Sequence, residues 1–122
     1  MNLLERLELF ETTGQISTHN CRLMKKIVEN LHNKWKVSLN DECAATLITH
    51  LAMAWERVGK NEMVKPLDDM LYQEVRGSNF VDCGQQILKE WEEILGHEFP
   101  EAEKGYLLLH TCTLLEKMGD EK

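Results

Sequence analysis

The sequence predicts an all-α protein, a compact bundle of five main helices and one short helix. Three observations support this fold class. Apolar residues recur every three or four positions in each long segment. No stretch of useful length alternates apolar and polar residues as a β-strand does. Of the 122 residues, 43% are hydrophobic and only 7 Gly and 2 Pro interrupt them, so we expect one ordered domain over residues 1–122.

The first two helices are marked by apolar stripes and by residues that suit helix ends. Leu3, Leu7 and Phe10 share one face of the first helix, and Gly14 is placed to end it. Ser17 is a suitable N-cap for the second helix, because its hydroxyl can accept a bond from a free backbone N–H group. The second helix has apolar residues at four-residue spacing, Leu23, Ile27, Leu31 and Trp35.

The middle of the chain predicts one long helix and one short helix separated by a turn. The long helix is predicted over residues 41–58, with Asn40 as its cap and Gly59 as its stop. Glycine, asparagine and proline cluster in residues 59–66, which is a turn signal. The short helix is predicted within the segment LDDMLYQEV, residues 67–75.

The last two helices are predicted between clear start and stop residues. Phe80 and Trp91 belong to the apolar stripe of the fifth helix, which Gly96 is placed to stop. Pro100 precedes the sixth helix, since proline is well suited to a first helical turn. The tail GDEK, residues 119–122, is expected to fray.

Charge and hydropathy restrict the classes of partner. The chain has 21 acidic and 14 basic residues and a formal net charge of −7, which disfavours direct binding to the phosphates of nucleic acid. No apolar run approaches the ~20 residues needed to cross a membrane. The opening MNLLERLELFE has glutamates where a signal peptide has a basic start. We therefore expect a cytoplasmic protein that contacts neither nucleic acid nor membrane directly.

The cysteine pattern does not predict a metal site. The four cysteines are widely separated, and no Cys-x-x-Cys pair is present. Two His-x-Cys pairs exist, but residues two apart on a helix point to different sides. We expect neither zinc nor another cofactor, and reduced thiols in or near the core. The cysteines are Cys21, Cys43, Cys83 and Cys112.

Two of the predicted helices, the third and the last, have similar sequences around a central histidine. At an offset of 60 positions His50 aligns with His110, and a leucine, a glutamate and a glycine recur with them. A base follows each histidine by seven residues, namely Arg57 and Lys117. Seven residues is close to two helical turns, so each base lies on its histidine's face. The pattern predicts two equivalent helices, each with one histidine and one cation.

A neutral imidazole in this position has several chemical uses. It can accept a phosphoryl group, act as a general base or bind a metal. Glu103 lies seven residues before His110, and a carboxylate beside an imidazole can fix its tautomer. The alternative is a half-buried histidine with a satisfied hydrogen bond. A small enzyme is disfavoured because no His-Glu-x-x-His motif or glycine-rich phosphate loop is present.

The segments NDECAATLITHLAMAWERV and EFPEAEKGYLLLHTC resemble the two signature segments of the phosphotransferase-system regulation domain, or PRD. The pattern Pro-Glu-x-Glu-x-Gly-Tyr-Leu-x-Leu-His is matched from Pro100 to His110, and the first signature from Asn40 to Arg57. The resemblance extends from near Leu3 to Met118. It implies a compact all-helical regulatory domain that is not an enzyme and that takes part in the control of transcription.

The resemblance also implies a site. In the family, phosphorylated sugar-transport proteins transfer phosphate to histidines of the domain, and here the matching acceptors are His50 and His110. Arg57 and Glu103 match residues that help to hold the site. The implied donors are a phosphocarrier protein or the enzyme IIB-type component of a sugar permease, and phosphorylation changes the packing of a homodimer. Family proteins usually have two such domains and a separate nucleic-acid-binding domain. We expect this chain to have a single PRD-like domain and no nucleic-acid-binding domain. A non-phosphorylated module for dimerisation or partner binding is the alternative.

Overall fold

The computed structural model describes residues 1–59 and 69–120, without the side chains of residues 69, 71, 72, 119 and 120. Over these residues the chain forms helices and no strand, which confirms the all-α prediction with one short helix among longer ones. Within the described ranges, every helix is too short or too polar to span a membrane. The helices are α1 (Leu3–Thr12), α2 (Thr18–Asn33), α3 (Glu42–Gly59), α4 (Asp69–Arg76), α5 (Val81–Leu95) and α6 (Glu101–Asp120).

The chain divides into two compact units, Met1–Glu62 and Met63–Lys122. The first unit contains α1, α2 and α3, and the second contains α4, α5 and α6. The organisation of residues 1–122 as a single domain stays a prediction.

The helix ends of the first unit follow from local hydrogen bonding. The Asn2 side chain accepts from the Glu5 backbone N–H at 2.9 Å, and the Glu5 carboxylate accepts from the Asn2 N–H at 3.1 Å. These two bonds form a capping box at the start of α1. Beyond its end, Gly14 has φ 78°, a conformation that glycine adopts without strain. The hydroxyl of Ser17 accepts from the Asn20 N–H at 3.1 Å, which confirms Ser17 as the cap of α2.

The start of α3 corrects the sequence prediction. Asn40 was the predicted cap, but the Oδ1 atom of Asp41 accepts from the Ala44 backbone N–H at 2.9 Å. Asp41 lies one residue closer to the helix, and its negative charge is also favoured beside the positive end of the helix dipole. The prediction of Asn40 as the cap was therefore wrong.

The core of the first unit is formed by the apolar stripes of its three helices. Burial of one such side chain stabilises the fold by about 1.5–3 kcal/mol relative to leaving it exposed. Of the predicted stripe of α2, Ile27 and Leu31 are fully buried, whereas Leu23 and Trp35 are half-buried. The fully buried members are Leu7, Met24, Ile27, Val28, Leu31, Ala44, Leu47, Ile48 and Leu51, each 0% exposed.

In the second unit, α5 lies very close to α6 at Gly84. A Cβ atom added at Gly84 would lie 2.9 Å from Cδ1 of Leu108 and 3.3 Å from Sγ of Cys112. The absence of a side chain lets the two helices approach at this point. Trp91, nearly two turns further along α5, is 0% exposed and fills the core. Gly96 has φ 73° and ends α5 as predicted.

The last helix begins as predicted but ends later. The carbonyl oxygen of Pro100 accepts from the N–H groups of Glu103 and Lys104, both at 3.0 Å, at the start of α6. The helix continues through Gly119 and Asp120, which the sequence assigned to a frayed tail. Residues 121–122 and the part of the predicted turn in residues 60–66 lie outside the described residues.

Candidate functional site

The structure places one predicted phosphoryl acceptor in each unit. His50 lies in the middle of α3, and His110 lies in the middle of α6. Both side chains are half-buried. Each is therefore held on the longest helix of its own unit, which is a rigid support for a chemical group.

His50 is set into the packed surface of α3. Leu47 and Ala54, which share its side of the helix, are 0% and 1% exposed. The Nε2 atom of the ring is enclosed by protein. Arg57 is also half-buried and lies seven residues further on, roughly 10 Å along the helix axis. The structure thus puts His50 and Arg57 on one face of one helix, as the spacing predicted.

His110 has an apolar environment that favours its neutral form. Leu107 and Leu114 on its side of α6 are both 0% exposed, and Thr111 is buried with its hydroxyl donated to the Leu107 carbonyl at 2.7 Å. Burial lowers the pKa of His110 below its ordinary value of 6.5, because the charged imidazolium loses water contacts. At neutral pH the ring is therefore uncharged, and one ring nitrogen keeps the lone pair that a nucleophile needs.

Glu103 occupies an unusual place for a carboxylate. It lies in the first turn of α6 and is only 3% exposed. The positive end of the helix dipole favours a negative charge at this position. Glu103 shares a face of α6 with His110, about 10 Å away along the axis. Its role as a support of the site stays a prediction.

Glu56 and Glu116 each hydrogen-bond a histidine helix to the start of another helix. The two glutamates align at the 60-residue offset, but the sequence assigned them no role. In the first unit, Glu56 of α3 accepts from the Ser17 backbone N–H at 2.9 Å and from Nδ2 of Asn20 at 2.7 Å. In the second unit, Glu116 of α6 accepts from the Ser78 hydroxyl at 2.8 Å, three residues before α5 begins. Glu56 directly precedes Arg57, and Glu116 directly precedes Lys117. Each hydrogen-bonded glutamate is therefore next to the cation that lies on its histidine's face.

The described part of the chain does not hold a metal-ligand cluster. In residues 1–59 and 69–120, no group of three or more His, Cys, Asp or Glu side chains is arranged to bind a metal ion. All four cysteines have free thiols. Burial raises the pKa of Cys21 and of Cys112, so both stay protonated near neutral pH.

The environment of His110 leads to a prediction about pH. Well above pH 6.5 the ring is neutral in both the folded and the unfolded chain, because the pKa of His110 is lowered from its ordinary value of 6.5. Below pH 6.5 the unfolded chain binds the proton more readily than the folded chain, so His110 lowers the free energy of unfolding as the pH falls. The NMR titration of its ring protons should have a midpoint below 6.5.

The same effect should be visible in stability. Between pH 7 and pH 5 the wild type should lose more stability in urea than the His110→Gln variant, which has no titrating ring at this position. An equal loss in both proteins, together with a midpoint at or above 6.5, would show that the ring is not desolvated.

Comparisons with known proteins identify the family of this chain and agree with its all-α fold. The family model of the PRD domain matches residues 25–111, a range that contains His50, Arg57, Glu103 and His110. The uncharacterized protein YhfY of Escherichia coli (strain K12) is 31% identical over 120 residues, which cover 95% of this chain and 97% of that protein. No solved structure matches the chain. The match over most of its length shows that the chain belongs to the PRD domain family.

Proposed function

We propose that the protein is a cytoplasmic bacterial regulatory domain that components of the sugar phosphotransferase system phosphorylate on His50 and His110. The observation that carries the proposal is the family match over residues 25–111, which contains both histidines on their rigid helices. The half-buried His110, with its lowered pKa, supplies the neutral ring that phosphoryl transfer requires.

The proposed step is a simple exchange of bonds. A ring nitrogen attacks the phosphorus of a donor phosphohistidine or phosphocysteine, and a new N–P bond forms as the donor's P–N or P–S bond breaks. The electron pair of the broken bond leaves with the donor side chain, which takes up the proton that the phosphorylated acceptor ring releases. In this step the chain is the acceptor of the phosphoryl group and not an enzyme.

The consequence of the step is electrostatic. The phosphoryl group adds about two negative charges at neutral pH. Arg57 and Lys117, on the faces of His50 and His110, are the cations placed to respond to these charges. Glu56 and Glu116, which directly precede these cations, are hydrogen-bonded to neighbouring segments, so movement of either cation acts on a hydrogen-bonded contact. We propose that this changes homodimer or partner packing, and thereby the control of transcription.

Phosphorylation of the purified protein by the phosphoenolpyruvate-driven phosphocarrier cascade tests the proposal. Intact-mass measurement of the wild type should show up to two heat- and acid-labile phosphates. His50→Ala and His110→Ala should each remove one, and the double variant should have none. The matched control is His19→Ala with His97→Ala, which removes two exposed histidines and should leave labelling unchanged. Full labelling of the His50→Ala/His110→Ala protein would refute the assignment.

One observation favours a second function, a dimerisation or partner-binding module of the same fold that is not phosphorylated. The Nε2 atom of His50 is enclosed by protein, as expected of a histidine that serves packing. This function predicts a stable complex and no labelling of the wild type by any donor of the cascade.

A further inference from the structure

The second unit has a cleft between α5 and α6 that the proposed function does not use. The two helices touch at Gly84, where an added Cβ atom would lie 2.9 Å from Cδ1 of Leu108. Beyond this contact, α5 and the first turns of α6 border a cavity of about 270 Å³. Sites for drug-sized molecules have volumes of ~300–1,000 Å³, so this cleft suits a smaller ligand, such as one with a single ring.

The floor of the cleft is apolar. It is formed by Leu88 of α5 and by Gly105 and Leu108 of α6, and all three residues are buried. Because glycine has no side chain, the floor at Gly105 is the backbone of α6 itself. The two leucines therefore offer an apolar surface on which the C–H groups of a ligand can be removed from water.

The rim of the cleft is polar and can both donate and accept hydrogen bonds. The carboxylates of Glu92 and Glu101 accept, and the ammonium group of Lys104 donates. The side-chain amide of Gln85 does both. Glu92 is already held in place, since it accepts from the Phe99 backbone N–H at 2.7 Å. A ligand with several hydroxyl groups, each a donor and an acceptor, can use every group of this rim.

The charges of the rim argue against an ionic ligand. Nζ of Lys104 lies 3.7 Å from Oε2 of Glu92 and 3.6 Å from Oε1 of Glu101. A cation would meet this ammonium group, and an anion would meet the two carboxylates. Residues 63–122 also contain 13 acidic and only six basic residues, which adds to the repulsion of an anion. An uncharged ligand meets neither obstacle.

We propose that this cleft binds an uncharged monosaccharide, with one face of the sugar ring on Leu88 and Leu108 and its hydroxyl groups on the polar rim. A sugar ring combines an apolar C–H face with hydroxyl groups around its edge, which is the combination that the floor and the rim match. The inference goes beyond the proposed function and does not depend on phosphorylation of either histidine. Failure to label the wild type would reject the proposed function and leave the sugar site standing.

NMR titration of the full chain with D-glucose, D-mannose, D-galactose and D-fructose provides the first test. At least one of these sugars, at millimolar concentration, should cause saturable shifts of the backbone amide signals of Leu88, Gly105 and Leu108. The amide signals of Met24 and Ile27, in the core of the first unit, should stay in place. The absence of a saturable shift with all four sugars, or shifts confined to other residues, would overturn the inference.

Two charged probes test the class of ligand. Glucose 6-phosphate should bind at least about tenfold more weakly than the best of the four sugars, because its phosphate meets Glu92 and Glu101. Spermidine should also bind more weakly, because its ammonium groups meet Lys104. Equal or tighter binding of either probe at the same residues would show that the cleft is a site for ions.

A matched pair of double variants locates the site. Gln85→Ala with Glu101→Ala removes two groups of the rim, so the dissociation constant of the sugar should rise at least about fivefold. Gln86→Ala with Glu98→Ala removes the same two kinds of side chain outside the cleft and should bind the sugar like the wild type. All four side chains are exposed, and circular dichroism should show both variants folded. An unchanged affinity in the first variant, or equal weakening in both, would contradict the assignment.

Discussion

Replacement of Trp91 by alanine is expected to lower the free energy of unfolding of the second unit by about 3–5 kcal/mol. The indole is 0% exposed on the inner side of α5, where Ile87 is also fully buried. Its removal forfeits the largest buried side chain of the unit and leaves a cavity that the neighbouring helices can close only in part. This loss is a large share of the ~5–15 kcal/mol that holds a typical domain together. Urea unfolding followed by circular dichroism measures it.

Trp35 provides the control for this prediction. It is only half-buried, and Nζ of Lys34 lies 5.5 Å from its ring centroid at the protein surface. Trp35→Ala removes the same group from a wetter position, so we expect a clearly smaller loss than for Trp91→Ala. Similar losses in the two variants would mean that Trp91 does not fill a closed core.

Replacement of Gly84 by leucine is expected to destabilise the second unit by about 3 kcal/mol, at the upper end of overpacking effects. Even a Cβ atom here would lie 2.9 Å from Cδ1 of Leu108, and a leucine has three more carbons to place between α5 and α6. The contact includes Thr111 and Cys112, which follow His110 on α6. The substitution should therefore reduce labelling of His110 while His50, in the first unit, is labelled as before.

Gly84→Ala distinguishes helix spacing from a general effect of substitution. The atom that its methyl group meets is the end of a flexible side chain, which can turn away. Alanine also favours a helix by about 1 kcal/mol relative to glycine, so the two effects should nearly cancel in urea unfolding. A Gly84→Leu protein as stable as the wild type would contradict the close approach of the two helices.

Much of the fold was predictable because helix formation is largely local. The periodicity of apolar residues located the helices, and Gly14, Ser17 and Gly96 marked ends that the structure confirms. The error at Asn40 is also local. Two adjacent residues, Asn40 and Asp41, are both good caps, and only the path of the chain decides which oxygen reaches the free N–H group.

The candidate site was predictable as a pattern of residues on helices. Spacing placed Arg57 on the face of His50, and the signature segments selected both histidines inside the range that the family model matches. Spacing could not reveal the contacts of Glu56, because its partners Ser17 and Asn20 lie 39 and 36 residues away along the chain. No local rule links positions so far apart.

The amino-acid sequence alone thus establishes the helical class, most helix ends and the two histidines that define the family pattern. The three-dimensional structure decides which groups are buried and which distant residues meet. His110 shows why the two differ. Its neighbours in the sequence make it a residue of an apolar helix, but its lowered pKa depends on how much water the surrounding helices exclude. That exclusion is a property of packing and not of any single segment.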